Sequence, residues 1–253
     1  MAEDAPQSRT RAIQSGNRVA LDLGSFKLEQ ATFEIRFPVA LKFWDSAGAV
    51  WQRIQEKWPD MVLTHAEPAR TIFRFGSSNL TIELETARIT TTSPDRSMEE
   101  FGKNAKLFVT AVVEQIGIRL FRRVGFRPVY FRQFDSREEA ASNLLSLGLL
   151  KVPQDKRFEV SETPVDPQYV VRWESEAKGT FLQIRAENRK LDFEPPPDLA
   201  QEIEPVHRER SGIAFDIDYY TVAPVEPAQI DASEWVKHAV HLINRDTKFV
   251  FEG

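Results

Sequence analysis

The sequence predicts an α+β fold in which antiparallel sheets are covered by four main helices. Segments of alternating apolar and polar residues, typical of half-buried strands, occur along most of the chain. Four other segments carry apolar residues at helical spacing. With 253 residues, 42% of them hydrophobic and 28% charged, the chain can bury one large core or two small ones.

The chain is expected to begin with an arm and a strand. Residues 1–16 are polar and lack periodicity, which predicts a flexible N-terminal arm. Phe33, Ile35 and Phe37 alternate with polar residues before Pro38, so a half-buried strand should end there.

A helix and a hairpin are predicted next. Apolar residues at helical spacing indicate a helix over about 45–58, which Pro59 would stop. The segments 71–75 and 80–89 have the composition of strands, and residues 76–79 are expected to form a four-residue loop between them.

Two further helices carry a sequence signature at their N-termini. A serine followed three residues later by a glutamate can form a capping box, which satisfies backbone N–H groups at a helix start. This spacing occurs at Ser97 with Glu100 and at Ser136 with Glu139, and it predicts helices over 97–117 and 136–148.

The second part of the chain returns to strand patterns. Strands are predicted at 157–162, 168–176, 180–187 and 212–222, with a proline-rich acidic loop or short helix at 193–210. A helix over about 231–243 and a final strand at 248–252 complete the chain. The loose recurrence of strand, helix and strand suggests two related halves, 17–151 and 152–253, packed on each other.

Residues 119–134 form the most distinctive stretch. It places five arginines among large apolar residues at strand-like spacing and contains no acidic residue. Guanidinium groups match carboxylate and phosphate geometry, and neighbouring aromatic rings can stack with bases. The candidate anion- or partner-binding residues in this stretch are Arg122, Arg123, Arg127, Arg132 and Phe131.

An internal layer of ion pairs explains the same arginines. A buried arginine needs a partner, because an unpaired buried charge is costly. Carboxylates on other predicted strands can supply one, and the candidates are Glu83, Glu85, Asp216 and Asp218. Gly125 favours a site, since a glycine within a strand often marks a bulge or a close backbone approach.

The sequence assigns no catalytic residue, metal site or cofactor. Asp216 and Asp218 are weak metal candidates, because residues two apart on a strand share a face, but no third ligand is identifiable. The absence of cysteine excludes disulfides, thiolate nucleophiles and iron–sulfur clusters. Phosphate-binding loops and dinucleotide fingerprints are also missing.

Several segments share an arrangement with a known family. They are FEIRFP at 33–38, the helix end at 58–59, RVGFRPVYF at 123–131 and DIDYY at 216–220. The chain thereby resembles a sporadically distributed family of uncharacterised bacterial proteins of about 250 residues, a likeness that concerns fold more than function. The family's arginine, glycine, aliphatic, arginine, tyrosine pattern is similar to residues 123–128, with Phe126 at the aliphatic position and Pro128 at the tyrosine. The resemblance implies an α+β fold and no established activity.

We expect a non-catalytic binding or assembly module that uses the arginine and aromatic strand to bind a protein partner or a small anion. The alternatives are a phosphate- or nucleotide-handling enzyme and an accessory factor of a bacterial defence or toxin-neutralising system that contacts nucleic acid. A net charge of −5 argues against general nucleic-acid binding. The first residues lack the apolar core of a secretory signal, and no apolar run reaches the ~20 residues that span a bilayer, so a cytoplasmic location without membrane contact is expected. Self-association into a homo-oligomer stays open.

Overall fold

The computed structural model describes residues 21–92, 94, 97–150, 164–193 and 206–252. The predicted arm at 1–16, the predicted strand at 157–162 and most of the loop at 193–210 lie outside these residues. The described strands are β1 Lys27–Arg36, β2 Val62–Glu67, β3 Arg70–Phe75, β4 Ser78–Glu83, β5 Thr86–Thr92, β6 Arg123–Phe134, β7 Gln168–Glu174, β8 Lys178–Phe193 and β9 Val206–Thr221. The described helices are α1 Phe43–Gln55, α2 Met98–Ile116, α3 Arg137–Ser146 and α4 Ala232–Glu252.

The described strands form one antiparallel sheet in the order β2-β3-β4-β5-β1-β6-β9-β8-β7. β1 and β6 lie side by side at its centre and pair from Lys27 with Phe131 to Arg36 with Arg123. One sheet with helices packed on it confirms the predicted α+β class. The order of strand, helix, strands and helix occurs twice along the chain, from β1 to α2 and from β6 to α4. The division into halves at residue 152 stays a prediction.

The two faces of the sheet differ because alternate residues of a strand point in opposite directions. On one face, Phe33 and Phe126 are fully buried beneath the helices. Phe101 of α2, for example, packs 5.9 Å from the ring of Phe126. The other face, on which no described helix lies, carries polar residues that include Thr32 and Arg127. We call it the open face.

The helices pack differently on the two wings of the sheet, of which the first consists of β2 to β5 and the second of β7 to β9. In the first wing, α1 packs against α2 and its Trp51 lies against Phe73 of β3. In the second wing, α4 packs mainly on α2, and Lys106 Nζ binds the Asp231 carboxylate at 2.6 Å. α3 instead packs on β6, β8 and β9.

The serine half of each predicted capping box is present. The Ser97 hydroxyl accepts a hydrogen bond from the Glu100 N–H at 3.2 Å, and the Ser136 hydroxyl accepts one from the Glu139 N–H at 3.1 Å. Gly117 ends α2 in the left-handed conformation with φ of 75°, which glycine adopts without steric cost. None of the described helices is long and apolar enough to cross a membrane.

Four secondary-structure predictions were wrong. The described residues of the predicted loop at 193–210, which are 193 and 206–210, belong to strands β8 and β9. The loop between β3 and β4 has two residues, and the segment 80–89 forms two strands with a turn at Leu84 and Glu85. The carbonyls of this turn accept hydrogen bonds from Ala40 and Phe37, each at 2.9 Å, so the chain leaving β1 holds the turn in place. In addition, no pattern in the sequence predicted β2.

The predicted final strand at 248–252 is the last of these errors, because α4 continues to Glu252. Its aromatic composition favours a strand, but Ile243, Thr247 and Phe251 share one helical face. Phe251 packs 5.6 Å from the ring of Phe26 and 5.6 Å from that of Phe215. Tertiary contacts therefore override the local preference.

Candidate functional site

The central strand β6 distributes the predicted site residues over both faces of the sheet. Arg123, Arg127 and Phe131 lie on the open face. Arg132 lies on the helix-covered side, where its Nη1 donates to the Ser25 hydroxyl at 2.7 Å. Arg122 precedes the strand and is exposed. The five candidates therefore do not form one surface.

Arg127 forms a bidentate ion pair with Asp216 of β9. Its Nε donates to Oδ1 at 2.8 Å and its Nη2 to Oδ2 at 2.6 Å, and this hydrogen bonding raises the pKa of Arg127. The Asp216 side chain is 2% exposed and that of Arg127 is 50% exposed. Arg185 of β8 lies 3.9 Å from the same carboxylate. A buried carboxylate is thus neutralised by an arginine that reaches to the surface.

Arg123 bridges β9 and β1. Its Nη2 donates to Asp218 Oδ2 at 2.5 Å, and its Nη1 donates to Glu34 Oε1 at 3.4 Å. The guanidinium lies over Gly125, where a Cβ would come within 2.7 Å of Nη1. The glycine is therefore needed for a close side-chain approach, which is one of the two roles that its position in a strand indicates.

Asp218 is less completely paired than Asp216. Its Oδ1 is buried and has no hydrogen-bond partner among the described residues. Burial raises the pKa of Asp218, although Arg123 and Arg127 oppose the shift. A carboxyl group with a raised pKa beside arginines can exchange a proton more readily near neutral pH than an ordinary aspartate.

The aromatic rings of β6 and β9 on the open face are covered by arginines. Arg189 lies 4.3 Å and Arg210 lies 5.0 Å from the centre of the Phe131 ring. Arg123 lies 4.7 Å from the centre of the Tyr220 ring. Because cation–π contacts occupy these rings, they do not offer free faces on which a nucleic-acid base could stack.

A cavity of about 250 Å³ opens between the ion pairs on the open face. Four arginines and two carboxylates line it: Arg36, Arg88, Arg123, Arg127, Glu34 and Asp218. Arg36 binds Glu34 through Nε at 2.7 Å. Arg88 lies 4.0 Å from Glu34 and 3.7 Å from Glu83, distances too long for hydrogen bonds. In the described part of the chain, Arg88 therefore keeps guanidinium donors open.

Sequence reasoning missed Glu34, Arg36 and Arg88. The polar positions of β1 were visible in its alternation, but the neighbour of β1 in the sheet was not. Of the carboxylates expected to pair with β6, Glu83 instead lies 3.4 Å from Arg70, and Glu85 lies in the turn after β4.

The two candidate metal ligands, Asp216 and Asp218, share a face as predicted, but each binds an arginine. Within the described ranges, no group of three histidine, aspartate or glutamate residues has the geometry to hold a metal ion. In this fold, both aspartates thus neutralise arginines of β6.

Comparisons with known proteins do not assign this chain to a family. No family model matches the chain, and no curated protein matches it.

Proposed function

We propose that this protein is a non-catalytic binding module that holds an anionic group, a carboxylate or a phosphate, in the arginine-lined cavity of the open face. The observation that carries the proposal is the set of four arginines around that cavity, of which Arg88 has no hydrogen-bonded carboxylate among the described residues. The group can belong to a small molecule or to an acidic segment of a partner protein. A cytoplasmic location and membership in the resembling bacterial family belong to the same proposal.

The charges near the cavity support an anion rather than a cation. Four arginines face two carboxylates in the lining, and Asp216, beside Arg127, offsets one more positive charge. Glu83 lies 3.7 Å from Arg88 and 3.4 Å from Arg70, so this additional carboxylate and arginine offset each other. About one positive charge therefore remains, and guanidinium forks match the oxygens of carboxylates and phosphates. The side chains of Arg36 and Arg88 are 54% and 35% exposed, so a ligand can reach both.

A phosphate- or nucleotide-handling enzyme is the second candidate, because Asp218 lines the same cavity with a raised pKa. Its carboxyl could act as a general base or acid toward a bound phosphate ester. Turnover of a nucleotide that Asp218→Asn abolishes while binding persists would favour this candidate over the binding module.

A thermal-shift titration tests the binding proposal. Phosphate, citrate and a short glutamate-rich peptide, each at up to about 10 mM, should raise the melting temperature if they bind the folded state. We expect at least one free anion or the peptide to do so, and the member that acts at the lowest concentration identifies the source of the group.

Arg88→Gln is the test variant because it removes open donors from the cavity and leaves the ion pairs of β6 intact. Its matched control is Arg74→Gln, since Arg74 is an exposed arginine of β3 outside the cavity. Affinity should fall about tenfold in the first variant and stay unchanged in the second. The proposal would be contradicted if the ligand raised the melting temperature of both variants equally, or if it left that of the wild type unchanged.

The accessory-factor alternative predicts nucleic-acid binding. The covered aromatic rings and the net charge of −5 lead us to expect none in a filter-binding titration at low salt with single- and double-stranded DNA and RNA. Micromolar affinity that falls steeply with salt and is lost with Arg122, Arg123 and Arg132 changed to alanine would replace the proposal with that alternative.

A further inference from the structure

A second cavity, of about 510 Å³, opens on the helix-covered face between α4 and strands β7, β8 and β9. Its floor includes Leu182, Phe215 and Ile243, all buried. Two large apolar side chains line it and remain exposed, Trp173 at 51% and Phe249 at 75%. The sheet separates this apolar cavity from the arginine-lined cavity, so the two are independent of each other.

The cavity exists because the two wings of the sheet are covered differently. In the first wing, Trp58 of the chain after α1 stacks 4.8 Å from the ring of Phe75, and α1 and α2 pack together. In the second wing, α4 packs on α2 while α3 packs on β6, β8 and β9. The described helices thereby leave the helix-side residues of β7, including Tyr169 and Trp173, beside an open space.

We propose that the apolar cavity binds a small, flat and uncharged apolar molecule. Its volume falls within the roughly 300–1,000 Å³ typical of small-molecule sites. Rings of Tyr169, Trp173 and Tyr219 line it, and aromatic walls favour a flat ligand. The hydroxyl of Thr180 supplies a polar group that can fix the orientation of the ligand.

The charge of the lining separates an uncharged ligand from an anionic amphiphile. Asp246 is the one charged residue among the described residues that line the cavity. Arg245 binds it through two hydrogen bonds, at 2.5 and 2.8 Å, and lowers the pKa of Asp246, so the carboxylate is ionised at neutral pH. Arg245 is not among the described residues that line the cavity, so a negatively charged head group would meet the Asp246 carboxylate, and the described lining offers no cation to hold it.

Two fluorescent probes that share a ring system test this inference. N-phenyl-1-naphthylamine is uncharged at neutral pH, whereas 8-anilino-1-naphthalenesulfonate carries an additional sulfonate. We expect the uncharged probe to bind one site per chain with a Kd of about 10 µM or tighter, and the sulfonate to bind at least about tenfold more weakly. Equal affinity for the two probes, or a Kd of the uncharged probe weaker than about 100 µM, would overturn the proposal.

Variants of β7 and β8 locate the bound probe. Trp173→Ala removes an exposed aromatic wall without opening the core and should weaken binding of the uncharged probe about tenfold. Val170→Ala is the matched control, because Val170 is 47% exposed on the same strand but points to the open face. Thr180→Phe should fill the cavity and weaken binding as well. An equal loss in the Trp173 and Val170 variants would overturn the assignment.

Asp246→Asn tests the electrostatic part of the inference. Removal of the carboxylate leaves Arg245, the neighbour of this lining residue, without its partner, so the affinity for the sulfonate should rise while that for the uncharged probe stays unchanged. If the affinity for the sulfonate does not rise, the Asp246 carboxylate does not select against anionic ligands. Sedimentation experiments show whether the protein dimerises as its concentration rises. If it does, and if both probes are displaced over the same range, the cavity is an interface between two copies and the small-molecule proposal is overturned.

Discussion

Replacing Arg127 with alanine should leave the Asp216 carboxylate buried without its bidentate partner. Breaking a buried ion pair by removing one member costs about 3–5 kcal/mol. The cost here should be lower, because the side chain of Arg127 is half exposed and Arg185, 3.9 Å from the carboxylate, can move closer. We therefore expect the free energy of unfolding to fall by about 2–4 kcal/mol.

Urea denaturation at neutral pH measures this loss. A loss of about 3 kcal/mol corresponds to a decrease of roughly 6–12 °C in melting temperature for a chain of this size. Arg74→Ala, an exposed arginine on the same face, is the control and should change stability by less than about 0.5 kcal/mol.

A double-mutant cycle with Asp216→Asn separates the pair from general damage to the sheet. The double variant should be more stable than the sum of the two single losses predicts, by about 1–3 kcal/mol, because it no longer buries a lone charge. If the midpoint of Arg127→Ala equals that of Arg74→Ala, or if the two losses in the cycle simply add, then Arg127 and Asp216 do not form a structural pair. The open face would then be better explained as a ligand site alone.

Four other perturbations test separate features of the fold. Because burial raises the pKa of Asp218, its ionised form is disfavoured in the folded state. The wild type should therefore lose stability relative to Asp218→Asn as the pH rises above about 4, the ordinary pKa of an aspartate. An opposite trend in urea denaturation would refute this sign. Gly212→Ala should destabilise the protein by about 1–3 kcal/mol, because its Cβ would lie 2.4 Å from a backbone oxygen and 2.3 Å from a phenylalanine ring carbon. Gly48→Ala in α1, with open space around the new methyl group, should instead stabilise it by roughly 0.5–1 kcal/mol, and equal thermal shifts of these two glycine variants would disagree with the structure. Mg²⁺ and Ca²⁺ should leave the melting temperature unchanged, and a rise that Asp216→Asn abolishes would show a metal site where the structure has an ion pair.

Local chemistry explains which features the sequence could predict. The hydrogen bond from Glu100 to Ser97 joins residues three apart, so its partners are set by the chain itself. Likewise, the alternation of β6 placed Arg123, Arg127 and Phe131 on one face, because the two-residue period of a strand requires no knowledge of its neighbours.

The partners of those arginines depended on the order of strands in the sheet. β1 and β6 are separated by more than eighty residues, and only their pairing brings Glu34 to Arg123. The continuation of α4 to Glu252 and the apolar cavity beside it were equally invisible, because both follow from the packing of Phe251 and of α3 and α4 on a sheet that had to form first. The sequence by itself therefore determined the caps, the alternation and the residue types of the arginine strand. The tertiary structure decided which carboxylates neutralise it and which cavities remain, since cross-strand and helix–sheet contacts join residues far apart in the chain.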